Sequence, residues 1–267
     1  MTSAPVFCDT GFLMVSFRKH RQGLVLLLAT VCPAIQSSQS TVIPPGPLPS
    51  SESLQYKVEW RLITAGKALL NWKADAGGFH ASLLLESTGL VSKLFKVNDE
   101  YTSTLDQNLC AHSSLLKTRE GSRQRETKVT FDSERKKATY LERDTARNTV
   151  LDTRETDIPA CVADVIGSLY RMRTLNLEPG QTAQIPVSDG KKFAHVRVEA
   201  QERETVTTPL GSHSAMRYEV FLFNGVILSR KARCFVWISE DARRLPIQIR
   251  VKMQFLIGTV NLALEKA

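Results

Sequence analysis

One segment, residues 161–175, has the periodicity of an amphipathic helix in a chain whose apolar residues elsewhere alternate with polar ones. Its apolar positions recur at steps of three and four residues, as one helical face requires: Val162, Val165, Ile166, Leu169, Tyr170 and the aliphatic part of Arg173. Asp157 and Pro159 precede the segment as start signals, and Pro179-Gly180 ends it. We therefore expect one helix between two runs of strands.

The residues before this helix have the pattern of antiparallel hairpins. The first strand alternates apolar with polar residues, as a half-buried strand does, at Leu54, Tyr56, Val58, Trp60 and Leu62. Gly77-Gly78 marks a tight turn between two further alternating segments. Residues 88–96 predict one or two helical turns, and residues 143–156 predict a polar, partly looped segment.

The alternation resumes after residue 180 and continues to the C-terminus. Residues 193–200 and 204–208 predict two strands with a polar step between them, and residues 226–229 predict a short strand after the Asn224-Gly225 turn. The fold class that follows is mainly β: a curved antiparallel sheet or open half-barrel, covered by the one amphipathic helix at about 161–175.

Residues 1–36 have the layout of a secretory signal peptide. A basic cluster, Arg18, Lys19 and Arg21, precedes an apolar core at residues 24–31 that is too short to span a membrane. We expect cleavage after Ala34 and a location in the periplasm or associated with the outer envelope, with Met14 as an alternative start. Residues 37–53 are rich in Ser and Pro and predict a linker, and residues 54–267 predict a single β-rich domain.

The five cysteines divide between the leader and the domain. Cys110, Cys161 and Cys234 lie in the domain, where burial as small apolar residues is the favoured interpretation. An exported protein could also form one disulfide, and the sequence does not say whether any of the three pair. Lipidation of Cys32 is a further alternative, which the bulky Val31 before it disfavours.

The charge pattern argues against nucleic acid as a partner. The formal net charge is +8, of which residues 1–36 contribute three basic residues and one acidic residue, and the remaining charges of both signs are interleaved along the strands. Nucleic-acid binding requires a coherent basic surface with stacking aromatic residues, and aromatic residues make up only 7% of the chain. Peripheral contact with anionic lipid headgroups remains open.

No pattern in the chain indicates catalysis, a metal or a cofactor. The domain's histidines lack metal-ligand spacing: His80, His112, His195 and His213. Ser168 does not lie in a nucleophile elbow, and no glycine-rich phosphate loop is present. The predicted ligand-binding residues are Asp164, Tyr170, Arg173, Trp237 and Arg244. Asp164 lies close to the apolar stripe, so we expect Arg173 or Arg244 to pair with it, either as a structural pair or to orient a ligand.

Several short motifs in order resemble one family. They are Tyr56-Lys57-Val58-Glu59-Trp60 with Ala65-Gly66-Lys67-Ala68, Asp164 with Ser168-Leu169-Tyr170-Arg171-Met172-Arg173, Glu178-Pro179-Gly180, Thr208-Pro209-Leu210-Gly211, Trp237-Ile238-Ser239-Glu240-Asp241, and Arg244-Leu245-Pro246. From about residue 54 to the C-terminus, the chain resembles the domain of unknown function 3108 family of bacterial exported proteins. It departs from that pattern at Arg171, where a second aromatic residue is expected.

The resemblance implies a fold similar to lipoprotein carriers, in which an open half-barrel wraps around a helix, and it implies no established activity. The function we expect is a non-catalytic binding module of the cell envelope for a hydrophobic or lipid-like ligand. The alternative is a structural or interaction protein of the bacterial envelope that binds a protein or polymer partner. The sequence leaves the oligomeric state open.

Overall fold

The computed structural model describes residues 48–254 and 258–267, so the predicted signal peptide and most of the predicted linker lie outside the described residues. Within these ranges the chain forms fourteen strands and two helices. Their bounds are β1 Ser51–Trp60, β2 Ile63–Ala74, β3 Phe79–Ser87, α1 Gly89–Leu94, β4 Asn98–Leu105, β5 Ala111–Glu120, β6 Arg123–Asp132, β7 Lys137–Asp144, β8 Thr149–Asp157, α2 Val165–Arg173, β9 Thr182–Ser188, β10 Phe193–Thr208, β11 Gly211–Val220, β12 Ala232–Ser239, β13 Pro246–Met253 and β14 Thr259–Lys266.

The strands form one antiparallel sheet in the order β8-β7-β6-β5-β4-β3-β2-β1-β14-β13-β12-β11-β10-β9. Two meanders, β1 to β8 and β9 to β14, are therefore joined where the first strand pairs with the last, with Tyr56 opposite Leu264. β8 and β9 are the two edges, and the sheet is not closed into a barrel by a ladder between them. The predicted fold class, mainly β with one open antiparallel sheet and few helices, is confirmed.

Side-chain contacts, rather than a ladder of backbone hydrogen bonds, connect β7 and β8 at one end of the sheet to the turn between β9 and β10 at the other end. The turn between β9 and β10 contains Gly190, whose carbonyl oxygen accepts a hydrogen bond from Thr156 Oγ1 of β8 at 3.0 Å. A Cβ on Gly190 would lie 2.7 Å from Val129 Cγ1, and its φ is +85°, so only glycine fits this contact. Lys191 Nζ adds ion pairs to Glu142 at 3.4 Å and Asp152 at 3.1 Å.

α2 connects two of the three clusters of buried apolar residues in the described part of the chain. Ile166 and Tyr170 pack in a cluster with buried side chains of β1, β2 and β14, whereas Met172 packs in a second cluster with residues of β9 to β12. Leu169 contacts both clusters. The helix therefore packs against the apolar face of the sheet, as the sequence predicts.

α2 is shorter than predicted because the chain is fixed by other contacts before Val165. Ala163 hydrogen-bonds to β9, its N–H donating to Pro186 O at 2.8 Å, and Val162 is buried before the helix begins. Val165 was predicted to lie in the apolar stripe, but its side chain is 44% exposed. The buried residues of the helix are Ile166, Gly167, Tyr170, Met172 and Arg173.

Four further local predictions differ from the structure. Residues 149–157 form the edge strand β8, whereas a partly looped segment was predicted. Residues 193–208 form one strand, because a register shift between Ala200 and Glu202 accommodates the polar step. Residues 226–229 lie in turns and bends rather than in a strand. β1 begins at Ser51, so residues 51–53 belong to the sheet although the sequence placed them in the linker.

Candidate functional site

Asp164 lies at the N-terminus of α2 and is almost fully buried. Its Oδ1 accepts a hydrogen bond from Gly167 N at 2.7 Å, the usual N-cap contact, and Tyr101 Oη of β4 donates to Oδ2 at 2.9 Å. Burial raises the pKa of the Asp164 carboxyl, and these hydrogen bonds oppose the shift. The expected pairing of Asp164 with Arg173 or Arg244 is wrong: its partners are a backbone amide and a phenol, because both arginines lie at the other end of α2.

The C-terminal end of α2 carries a buried ion pair between Arg173 and Glu52 of β1. Arg173 Nη1 bonds Glu52 Oε1, and Nη2 lies 3.1 Å from Oε2, so the contact is bidentate. The two side chains are only 2% and 6% exposed. Tyr170 Oη also donates to Glu52 Oε1, at 2.7 Å. Sequence reasoning missed Glu52, which lay in the predicted linker.

Arg244 completes this cluster from the loop before β13. Its Nε donates to Arg173 O at 2.6 Å and its Nη2 donates to Leu175 O at 2.6 Å. The same Nη2 lies 3.4 Å from Tyr218 Oη. The structure thus brings Tyr170, Arg173 and Arg244 together, and their polar atoms are directed at protein groups. Their role in binding a ligand remains a prediction.

Tyr170 is held from its other side by aromatic stacking. Its ring lies 3.6 Å from the Trp72 ring, centroid to centroid, at an interplanar angle of 14°, and Trp72 in turn stacks on Phe79 at 4.6 Å. Arg173 Cζ lies 4.8 Å from the Tyr170 centroid. Burial raises the pKa of the Tyr170 hydroxyl, and the neighbouring Glu52 carboxylate adds to that effect, so the phenol stays protonated as a donor.

Trp237 lies apart from these residues, on β12. Its Nε1 donates to Glu204 Oε1 of β10 at 2.6 Å, and Arg250 Cζ lies 4.9 Å from its ring centroid. The predicted set of five therefore divides into one residue at the start of α2, three at its end, and one on the sheet.

A disulfide joins Cys110 to Cys161, with a Cα–Cα distance of 4.9 Å. It fixes the loop between β4 and β5 to the residues that precede α2. Cys234 is free and buried, as predicted. Cys110 and Cys161 are instead paired in the disulfide, so the favoured interpretation is wrong for these two. Arg171 lies beside the disulfide, where Nη2 donates to Asn108 O at 3.1 Å and Leu109 O at 3.2 Å.

An apolar pocket lies between α2 and the strands β9 to β11. Its cavity has a volume of about 30 Å³ and is partly open to solvent beside Val165. The lining contains one hydroxyl and eight apolar side chains: Val165, Ser168, Ile185, Val187, Val196, Val198, Val220, Leu222 and Ile227. The sequence predicted the helix and the strands separately, but not that an imperfect fit between them would leave this space.

A wider groove crosses β4, β5 and β6. Its cavity volume is about 400 Å³, and its lining is mostly polar: Thr102, Ser103, Thr104, Ser113, Ser114, Leu115, Glu126 and Lys128. Thr104 Oγ1 and Ser113 Oγ are hydrogen-bonded to each other at 2.9 Å. Hydroxyls and charges of this kind offer little to an apolar ligand.

Across residues 48–254 and 258–267, no three His, Cys, Asp or Glu side chains come together in a way that could hold a metal ion. No helix in the same ranges has the length and apolar character needed to cross a bilayer.

The family profile described as "Protein of unknown function (DUF3108)" matches residues 55–265. The chain belongs to the DUF3108 family. This confirms the predicted resemblance. No curated protein matches this member of the family.

Among solved structures, the DUF3108 chain is similar to the one titled "Crystal Structure of Beta-barrel-like Protein of Domain of Unknown Function DUF1849 from Brucella abortus". The TM-score is 0.54 at 8% sequence identity, over 82% of this chain and 97% of that chain. At this identity the likeness shows the fold alone.

Proposed function

We propose that the chain is an exported, non-catalytic binding module of the cell envelope, which holds an apolar end of a hydrophobic or lipid-like ligand against α2. The observation that carries this proposal is the pocket beside Val165, because it is apolar, partly open and formed between α2 and the sheet. Export rests on the leader-like residues 1–36, and a location in the periplasm or at the outer envelope follows from it.

The size of the pocket limits the ligand. A cavity of about 30 Å³ admits the end of an alkyl chain but not a complete lipid. The rest of the ligand would extend past Val165 and Ser168 on the exposed side of α2. The ion pair of Glu52 and Arg173 would then act on binding indirectly, by fixing the helix against the sheet.

The first test is native mass spectrometry with lipid extraction on the protein processed by an exporting host. A bound and chemically consistent hydrophobic species supports the proposal.

Ser168→Leu places a larger apolar side chain at the pocket, and we expect it to weaken binding of a fluorescent long-chain fatty acid by about tenfold. Ser168→Ala is the matched control and should bind as the wild type does. Equal binding by both variants would contradict the assignment of the pocket.

A second candidate function is an envelope interaction protein that binds a partner chain. The observation that favours it is the outer edge of β8. No described strand pairs with the backbone of this edge, and Val150 and Leu151 on the same strand are exposed. Co-purification of a specific protein without any bound lipid, lost in Val150→Pro, would favour this candidate over the first.

A further inference from the structure

Exposed apolar side chains concentrate on two neighbouring segments at one end of the sheet. Leu62 lies in the turn between β1 and β2, and Ile63 is the first residue of β2. Leu90, Leu94 and Phe95 belong to α1 and its C-cap, and we call these five residues the apolar rim. Leu62 is 95% exposed, Leu94 77% and Phe95 52%. α1 has no buried residue, so the core does not account for its apolar side chains.

The backbone of the turn adds a second observation. β1 and β2 are connected by two residues only, Arg61 and Leu62, with φ of 49° and 69°. Two-residue hairpins with positive φ at both positions strongly prefer Asn-Gly or Asp-Gly, since bulky residues are strained there. A leucine at this position projects fully into solvent. The left-handed backbone of Leu62 costs free energy on folding, so this residue is a candidate for a contact outside the fold.

The two segments of the rim are fixed relative to each other. Thr88 N donates to Ala65 O at 2.9 Å, which places the start of α1 against β2. Gly121 N, in the turn between β5 and β6, donates to Lys96 O at 2.8 Å. A Cβ on Gly121 would lie 3.4 Å from Phe95 Cε2, so the Phe95 ring packs against this turn. The rim is therefore presented on an ordered scaffold.

The charged residues within the two rim segments are all basic. Residues 61–64 and 88–97 contain Arg61, Lys93 and Lys96 and no acidic residue. Lys93 and Lys96 are exposed, and neither makes an ion pair with the described part of the chain. Apolar side chains on projecting turns with cations beside them are the arrangement of proteins that insert shallowly into an anionic bilayer surface.

We propose that the apolar rim docks on an anionic lipid bilayer. Leu62, Leu94 and Phe95 insert at the boundary between headgroups and acyl chains, and Lys93 and Lys96 lie beside lipid phosphates. The rim contains none of the residues that line the α2 pocket. The proposal goes beyond ligand binding and stands whether or not the pocket binds a ligand.

The test is cosedimentation of the protein with vesicles of phosphatidylethanolamine and phosphatidylglycerol. The triple variant Leu62→Ser/Leu94→Ser/Phe95→Ser should bind these vesicles roughly tenfold or more weakly than the wild type, because the buried apolar area is lost. The control Leu210→Ser/Val226→Ser removes two exposed apolar side chains outside the rim, the α2 pocket and the β8 edge, and it should bind as the wild type does. All variants share residues 1–47, so any contribution of the leader cancels.

A second experiment tests the contribution of the two lysines to binding. Lys93→Gln/Lys96→Gln should lose most of the preference for these vesicles over phosphatidylcholine vesicles, and added salt should weaken wild-type binding. Thermal unfolding of each variant verifies that it is folded. Absence of wild-type binding, or an equal loss of binding in the rim triple variant and in the control variant, would overturn the proposal.

Discussion

The side chains of Arg173 and Arg244 each donate a hydrogen bond to the other residue's carbonyl oxygen. Arg173 Nε lies 2.8 Å from Arg244 O, and Arg244 Nε lies 2.6 Å from Arg173 O. The last carbonyl groups of a helix have no partner within it, and a cation near them also suits the helix dipole. This exchange fixes the end of α2 to the loop before β13, while the same Arg173 pairs with Glu52 of β1. One arginine thereby joins the helix to both meanders of the sheet.

Arg173→Met should lower the free energy of unfolding by about 3–5 kcal/mol, because it leaves the Glu52 carboxylate buried without its cation. Glu52→Gln/Arg173→Met should recover part of this loss, since no buried charge remains. Urea unfolding followed by circular dichroism measures both values. Arg154→Met is the control, since Arg154 pairs with Asp152 at the exposed surface and should contribute little. An equal cost for Arg173→Met and Arg154→Met would contradict the role of the buried pair.

The sequence predicted the strands and the helix because half-buried elements impose a local period on apolar residues. β1 shows this well, with Leu54, Tyr56 and Val58 buried at alternate positions. β8 does not, because it is an edge strand exposed along most of its length and both faces accept polar residues. An edge strand that buries little, such as β8, therefore appears as a loop in the sequence, whereas strands that cover the core do not.

The partners of the site residues could not be predicted, because pairing is not a local property. Glu52 lies 121 residues from Arg173, and Tyr101 lies 63 residues from Asp164. The Ser- and Pro-rich composition before residue 54 also concealed that β1 begins at Ser51. The predicted residues Tyr170, Arg173 and Arg244 do meet, whereas Trp237 belongs to a separate contact with Glu204.

Gly167→Ala should destabilise the fold by about 1–2 kcal/mol. A Cβ at this position would lie 2.4 Å from Leu105 Cδ2 of β4 and 2.9 Å from Asp164 Oδ1. Overpacking against a buried leucine outweighs the gain that alanine normally brings to a helix. Urea unfolding measures the change, with Ser168→Ala as a control on the same helix. Leu105→Val in combination removes the clashing methyl group, so the double variant should be less destabilised than the sum of the two single changes.

Asp164→Asn should remove a pH dependence of stability. Burial holds the pKa of Asp164 above its ordinary value of 3.8, so the folded state binds the proton more tightly than the unfolded state. This group's contribution to stability is therefore fully present below pH 3.8 and is lost as the pH rises through the folded pKa. Asparagine is an equally good N-cap and carries no charge, so the variant should match or exceed wild-type stability at neutral pH.

Urea unfolding of wild type and Asp164→Asn across this pH range measures the difference between them. The difference should grow in favour of the variant as the pH rises from about 4 and then become constant. Comparing the two proteins at each pH cancels the opposite trend of Glu142 and Glu219, whose pKa values are lowered in the folded state. A difference that does not change with pH would show that Asp164 is ionised equally in both states.

Cys110→Ser/Cys161→Ser should lower the free energy of unfolding by about 3–4 kcal/mol, because the disulfide closes a loop between residues 51 positions apart and restricts the unfolded chain. Urea unfolding of the oxidised wild type against the double variant measures this change. A reducing agent should bring the wild type to the stability of the variant and leave the variant unchanged. Cys234→Ala, which removes the free and buried thiol, should remain as sensitive to the reductant as the wild type. If the oxidised wild type and the double variant unfold at the same urea concentration, the disulfide does not stabilise the fold and the prediction is wrong.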